Sequence, residues 1–195
     1  VEITQVTSDT RESVLQNGQV DAVFATYTIT DERKKLVSFA GPYYYTQQAI
    51  LVLADNDDIK SVDDLADKNV AVQSGSTGPQ VVEEFAPEAE LQEFSKDDEC
   101  RAALEQGRVD AYVVDMTLHM GNVVKNPGKY RIAGDAFGPE DKYGIVLKLG
   151  PDGVDFVNAF LEKFEKDGKW ADFYKICIAD RTGVSTVPEP PAIGA

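Results

Sequence analysis

Histidine, cysteine, methionine and tryptophan are scarce in this chain of 195 residues, which holds one, two, two and one of them. A single histidine, His119, leaves little for imidazole acid–base chemistry or a histidine-rich metal site. It falls inside an expected helix, where packing is the commoner role. No Gly-x-Ser-x-Gly elbow and no His-Glu-x-x-His motif occurs. The two cysteines, Cys100 and Cys177, come without a CxxC or Cys/His cluster, which argues against a metal site. One disulfide and two inert thiols both stay open. No apolar run approaches the length of a membrane span. No secretory signal opens the chain, because Val1-Glu2-Ile3-Thr4 leads straight into a polar, helix-like stretch. Positive charge is short too: 19 Lys and Arg face 34 Asp and Glu, a net charge of −15. Phosphate is repelled by such a surface, so nucleic acid and anionic membranes are poor partners. The ordinary consequence of the charge is solubility. An anionic ligand would need a local positive group.

What is present is an internal repeat. The stretch from Val14 to Thr26 aligns without gaps to Ala103 to Asp115, and Leu, Gly, Val, Asp and Ala coincide. Each copy reads as an amphipathic helix ending at a glycine, then a buried strand. Gly18 and Gly107 stand where the residue after a helix needs a positive φ. Val20–Ala25 and Val109–Val114 are apolar runs apart from Asp21 and Asp110, as in parallel sheets covered by helices. A chance match of a common helix–turn–strand pattern is the alternative. Two copies predict two α/β lobes, whose ligands bind beyond the carboxyl ends of the strands. Thr26-Tyr27-Thr28 and Asp115 hold those positions.

Other elements follow. Ser61 caps a short helix over Val62–Ala66. Asn69–Gln73 is a strand, and a helix runs through Phe85 after the turn that follows it. Asp152 caps Gly153–Lys166, stopped by Gly168, and Trp170–Ile178 makes a last helix. Val184–Ala195, with Pro188, Pro190 and Pro191, reads as an extended tail.

Three segments carry candidate chemistry. Thr30 is a good N-cap, with Asp31 and Glu32 in the first turn and Arg33 one turn in. A guanidinium holds carboxylates bidentately, though an Arg beside Asp and Glu is more often a surface ion-pair partner. Gln73-Ser74-Gly75-Ser76-Thr77-Gly78-Pro79 takes a strand through a small-residue turn into a helix with Pro79 near its first position. Backbone N–H groups at such a start bind anions. No lysine follows the second glycine, so this is not a P-loop, and an ordinary βα turn is equally consistent. Asp115 either caps the helix beginning at Met116 or presents its carboxylate to an ammonium group. Tyr43-Tyr44-Tyr45 reads as strand.

With these residues the chain resembles the polar amino-acid-binding proteins of ABC importers, solute-binding protein family 3. The resemblance covers Val1 to about Ile178 and rests on Asn17–Asp21, Thr28–Lys35, Phe39–Tyr44, Gly75-Ser76-Thr77, Gly107–Ala111, Asp115, Tyr143-Gly144-Ile145 and Asp167–Trp170. It is most similar to actinobacterial glutamate-binding lipoproteins. It implies an α/β, two-lobed periplasmic-binding-protein-like type II fold with two hinge strands. They would cross at Tyr43–Gln47 and around Asp141–Tyr143. Lobe one would be residues 1–45 plus 143–195, with the tail at 184–195. Lobe two would be 46–142. Arg33 would hold the ligand α-carboxylate, helped by Thr28 and the N–H groups of Ser76 and Thr77, with Gln73 at the edge of that turn. Asp115 would take the α-ammonium, assisted by the Thr26 carbonyl. No catalytic residue, metal or cofactor is implied.

The expected ligand is glutamate, with glutamine or aspartate next. The expected partners are ABC transporter membrane subunits, and the expected location is extracytoplasmic, on a lipid anchor outside this chain. Related glutamate binders pair a strand cysteine with one in the following helix. Here Ala71 takes the strand position, so that disulfide is absent, and Cys177 maps to the other lobe from Cys100. The family also begins with a strand, a helix and a strand ahead of the stretch matching Val1. Lobe one is therefore expected to be incomplete, and a mostly monomeric protein would be open to chain exchange. A ligand-sensing ectodomain or a cyclic-acid dehydratase of the same fold are the rival expectations.

Overall fold

A computed structural model describes residues 1–150 and 152–194. The chain divides into two compact units. The first comprises Val1–Val6, Thr10–Tyr45 and Asp141–Ala195, and the second Thr7–Asp9 and Thr46–Glu140. Both are α/β. Two long strands, β2 (Ser38–Leu53) and β6 (Tyr130–Leu147), run through both.

The second unit is built on a sheet in the order β6-β2-β5-β3-β4, where β3 is Asn69–Gln73, β4 Glu90–Phe94 and β5 Ala111–Asp115. β3 pairs in parallel with both β4 and β5, while β2 runs antiparallel to β5. Side chains alternate between two cores, as the two-residue period of a strand requires. Ile50, Val52, Val70, Val72, Ala111 and Val113 face one core. Leu51, Ala71, Tyr112 and Val114 face the other. Helix α3 (Gly78–Phe85) contributes Val82 to the first core, and α4 (Asp97–Glu105) contributes Cys100, Ala103 and Leu104 to the second. Burial on both faces explains the apolar runs at residues 49–52, 70–72 and 111–114. Asp64 ties down the short 3-10 turn Val62–Leu65, its carboxylate accepting from the Ser61 N–H at 2.9 Å. These bonds hold the Asp64 carboxyl below its usual range, led by the Lys60 N–H.

The first unit holds α1 (Arg11–Gln16), β1 (Ala22–Val23), α2 (Asp31–Lys34), α6 (Asp152–Lys166) and α7 (Lys169–Tyr174). Leu15, Val23, Tyr27, Val37 and Val146 form its core. The Asp152 cap expected for α6 falls outside the described side chains. The last helix does not stop at Ile178. It passes through a π turn, Lys175–Ala179, and one further turn, Asp180–Thr182, ending at Gly183 with φ +78°. Beyond it, Pro191 is buried and the Gly194 N–H donates to the Gly41 carbonyl at 2.8 Å, so the tail is extended but docked.

The repeat is visible in hydrogen bonds. After α1, Gly18 donates to the Leu15 carbonyl and Gln19 to that of Val14, at 3.0 and 2.9 Å. After α4, Gly107 donates to Leu104 and Arg108 to Ala103, at 3.1 and 2.9 Å. Both are Schellman caps, with φ +73° at Gly18 and +65° at Gly107. The strands that follow differ. β5 is a fully buried central strand, but β1 has two residues and, among the described residues, pairs only with β6, antiparallel. The parallel pairing expected for Val20–Ala25 is not made among the described residues. With one neighbour β1 is an edge strand, Ala22 and Phe24 are exposed, and the Tyr27 N–H folds back onto the Ala25 carbonyl.

Candidate functional site

In the first unit, Thr26, Thr28 and Arg33 collect around Tyr27. Thr30 caps α2, its hydroxyl accepting from the Arg33 N–H at 3.2 Å. That cap fixes where the Arg33 side chain starts. Its Nη1 donates to the Thr28 carbonyl at 2.8 Å, and its guanidinium lies 4.9 Å from the Tyr27 ring centre. A guanidinium carries five donors, so this anchor is compatible with holding a carboxylate. Arg33 is half-buried and Thr28 buried.

Sequence reasoning missed Arg11. It is buried, lies 3.6 Å from the Tyr27 ring centre, and donates from Nη1 to the Thr26 carbonyl at 3.0 Å. The carbonyl expected to assist a ligand ammonium thus already accepts from a cation. The Tyr27 hydroxyl bonds to the Glu12 carboxylate, and burial together with that partner pushes the phenol well above its usual range. A signal for Arg11 exists in the repeat: it aligns with Cys100, and both precede an inward Leu by four residues, Leu15 and Leu104.

In the second unit, Asp115 ends β5 and Thr77 immediately precedes α3. Asp115 stands at the N-cap position of α5 (Met116–Lys125), yet its side chain makes no capping bond. Its Oδ1 accepts instead from Gln48 Nε2 at 2.7 Å, and the same nitrogen donates to Thr77 Oγ1 at 3.2 Å. Gln48 is fully buried, lies opposite Asp115 in the register of β2, and was not singled out from the sequence. A glutamine beside the apolar run Ala49–Leu53 was the available signal.

The Gln73–Gly78 turn is tied internally. The Ser76 hydroxyl donates to the Gln73 carbonyl at 2.6 Å and accepts from the Gly78 N–H at 3.1 Å. The Ser76 N–H donates to the same Gln73 carbonyl at 3.2 Å. Gln73 itself points elsewhere, its Nε2 donating to the Ser95 carbonyl at 3.3 Å. Ser74 donates to the Asp9 carboxylate at 2.6 Å, so the turn already meets one carboxylate, a residue of the chain itself. The structure thus brings Ser76, Thr77 and Asp115 near Gln48 and leaves the Gln73 side chain on the loop after β4.

His119 is packed, not poised. It is fully buried, Nε2 lies 3.0 Å from the Tyr112 carbonyl, and burial lowers its pKa to about 4. It is a neutral ring at neutral pH. Cys100 is a buried free thiol, pushed up to about 12 chiefly by desolvation, and Cys177 is exposed and free. Among the described residues, no group of three His, Cys, Asp or Glu is placed to hold a metal, and no helix is long and apolar enough to cross a membrane.

Comparison with known proteins agrees with this architecture. The family model of bacterial extracellular solute-binding proteins, family 3, matches residues 1–177. The glutamate-binding protein GluB of Corynebacterium efficiens is 38% identical over 180 residues, 89% of this chain and 61% of that protein. The ABC transporter glutamine-binding protein GlnH of Bacillus subtilis is 39% identical over 173 residues, 88% of this chain and 62% of that protein. The chain therefore spans about three fifths of the length of these curated relatives. Among solved structures, an ancestral arginine-binding protein bound to glutamine superposes with a TM-score of 0.84 and 38% identity, covering 91% of this chain and 80% of that one. The chain belongs to family 3 of the bacterial extracellular solute-binding proteins.

Proposed function

We propose that this chain is the amino-acid-capturing part of an extracytoplasmic binding protein that delivers a free polar amino acid, first glutamate, to the membrane subunits of an ABC importer. The observation that carries this reading is the Asp115 carboxylate, buried at a strand end and tied by Gln48 to Thr77 at the start of α3. A buried carboxylate beside a helix start suits a zwitterion: the ammonium meets Asp115, and the carboxylate meets backbone donors and the helix dipole. Arg33, on the other unit, supplies the cation that an anionic group needs against a net charge of −15. Thr28 shares that end of the ligand, and Thr26 offers its carbonyl.

Glutamate ranks first on the resemblance to glutamate-binding lipoproteins, and the relatives named for glutamate and for glutamine, at 38% and 39% identity, keep glutamine next. Capture without turnover is favoured because the one imidazole is buried and neutral. Lipid anchoring and a mostly monomeric state belong to the same proposal and rest on the family resemblance. The test is a thermal-shift survey of the full-length protein against each of the twenty amino acids. A ligand at free concentration L that binds the folded state stabilises it by RT ln(1 + L/Kd), so the unfolding temperature rises with ligand concentration and affinity. A rise with L-glutamate, and smaller rises with glutamine or aspartate, is expected. No rise with any polar amino acid would sink the proposal.

A further inference from the structure

Gln48 has no part in the ligand contacts proposed above, yet its position is demanding. It is fully buried, and one nitrogen donates to both Asp115 Oδ1 and Thr77 Oγ1. We infer that Gln48 is the positioning residue that sets the Asp115 carboxylate at a fixed spacing from Thr77, and so selects ligands with an ammonium beside a carboxylate. This inference rests on the amino-acid-binding reading.

Three observations carry it. The β2 register sets Gln48 opposite Asp115, so the amide reaches the carboxylate from the neighbouring strand. Asp115 makes no side-chain capping bond to α5, and its Oδ1 meets the Gln48 amide. The amide is also well matched to the task. Its NH2 group only donates and adds no charge, so it orients a carboxylate without neutralising it. A lysine there would compete with a ligand ammonium, and a glutamate would repel Asp115.

The experiment compares the full-length wild type with Gln48→Met, which keeps length and volume but loses the donor. L-Glutamate and glutarate, the same diacid without the ammonium, are each titrated by calorimetry. Gln48→Met is expected to lose at least about tenfold in affinity for L-glutamate and to change little towards glutarate. Gln48→Asn, an amide too short to reach, should show the same selective loss. Equal losses for both ligands would reduce Gln48 to a packing residue, and no loss would overturn the inference. A wild type that binds neither ligand would overturn the functional reading and the selection role together. A second readout needs no ligand. The Gln48 side-chain amide, identified in nitrogen-15 spectra by its disappearance in Gln48→Met, should exchange slowly with solvent and shift in Asp115→Asn. A fast-exchanging amide indifferent to Asp115 would overturn the positioning role whatever the protein binds.

Discussion

The guanidinium of Arg11 lies 3.6 Å from the centre of the Tyr27 ring, and both residues are buried. A buried cation is tolerated only where it is partnered, here by the ring and the Thr26 carbonyl, beside the Tyr27–Glu12 bond. Arg11→Met should cost about 3 kcal/mol of stability. Arg11→Lys should recover only part, since a point charge cannot both stack on the ring and reach the carbonyl as a planar fork does. Urea unfolding of the two variants measures this. A loss below about 0.5 kcal/mol in Arg11→Met would show that the cluster does not hold the first unit together.

Stability should fall as pH drops from 6.5 towards 4. His119 binds its proton with a pKa of about 4 when folded, against 6.5 as the ordinary value. The unfolded chain therefore takes up the proton first. The neutral ring's contribution is complete above pH 6.5 and is lost as pH falls to the folded value. The difference corresponds to about 3 kcal/mol. His119→Gln should flatten the wild-type slope between pH 6.5 and 4 in urea unfolding, and parallel slopes would contradict it.

The paired glycine caps make a matched experiment. At Gly107 nothing lies within 4 Å of an added Cβ, and at Gly18 the nearest atom is the flexible end of Lys148, at 3.0 Å. Backbone strain at positive φ is then the main cost at both. Gly18→Ala and Gly107→Ala should each lose about 1–2 kcal/mol. Clearly unequal losses would mean that the two copies are not energetically equivalent caps.

The two thiols should react very differently. Cys177 is exposed, whereas Cys100 is fully buried with its thiol pushed up to about 12. A colorimetric thiol reagent at pH 8 should titrate one group rapidly and the second only on unfolding. Two fast thiols, or none, would contradict this placement.

Much of the fold was legible because its signals are local. The Schellman glycines, the strand Asn69–Gln73 and the Thr30 cap each depend on residues within one turn or strand. What escaped depends on distant partners. β1 was misread as part of a parallel sheet because its neighbours, Val146 and Leu147, lie more than a hundred residues away in sequence. Gln48 carries no local mark of its role, because its acceptors, Thr77 and Asp115, come from two other elements. Arg11 carries no local mark either, because the Tyr27 ring that covers it lies on another element. The last helix overran its expected end because no breaker stands between Ile178 and Gly183.

Calorimetric titration of L-glutamate into the full-length wild type, Arg33→Met and Asp115→Asn tests the central claim most directly. The wild type should bind one equivalent, and each variant should lose at least about a hundredfold in affinity while staying folded. A wild type that takes up no glutamate, or variants that bind it undiminished, would contradict the account.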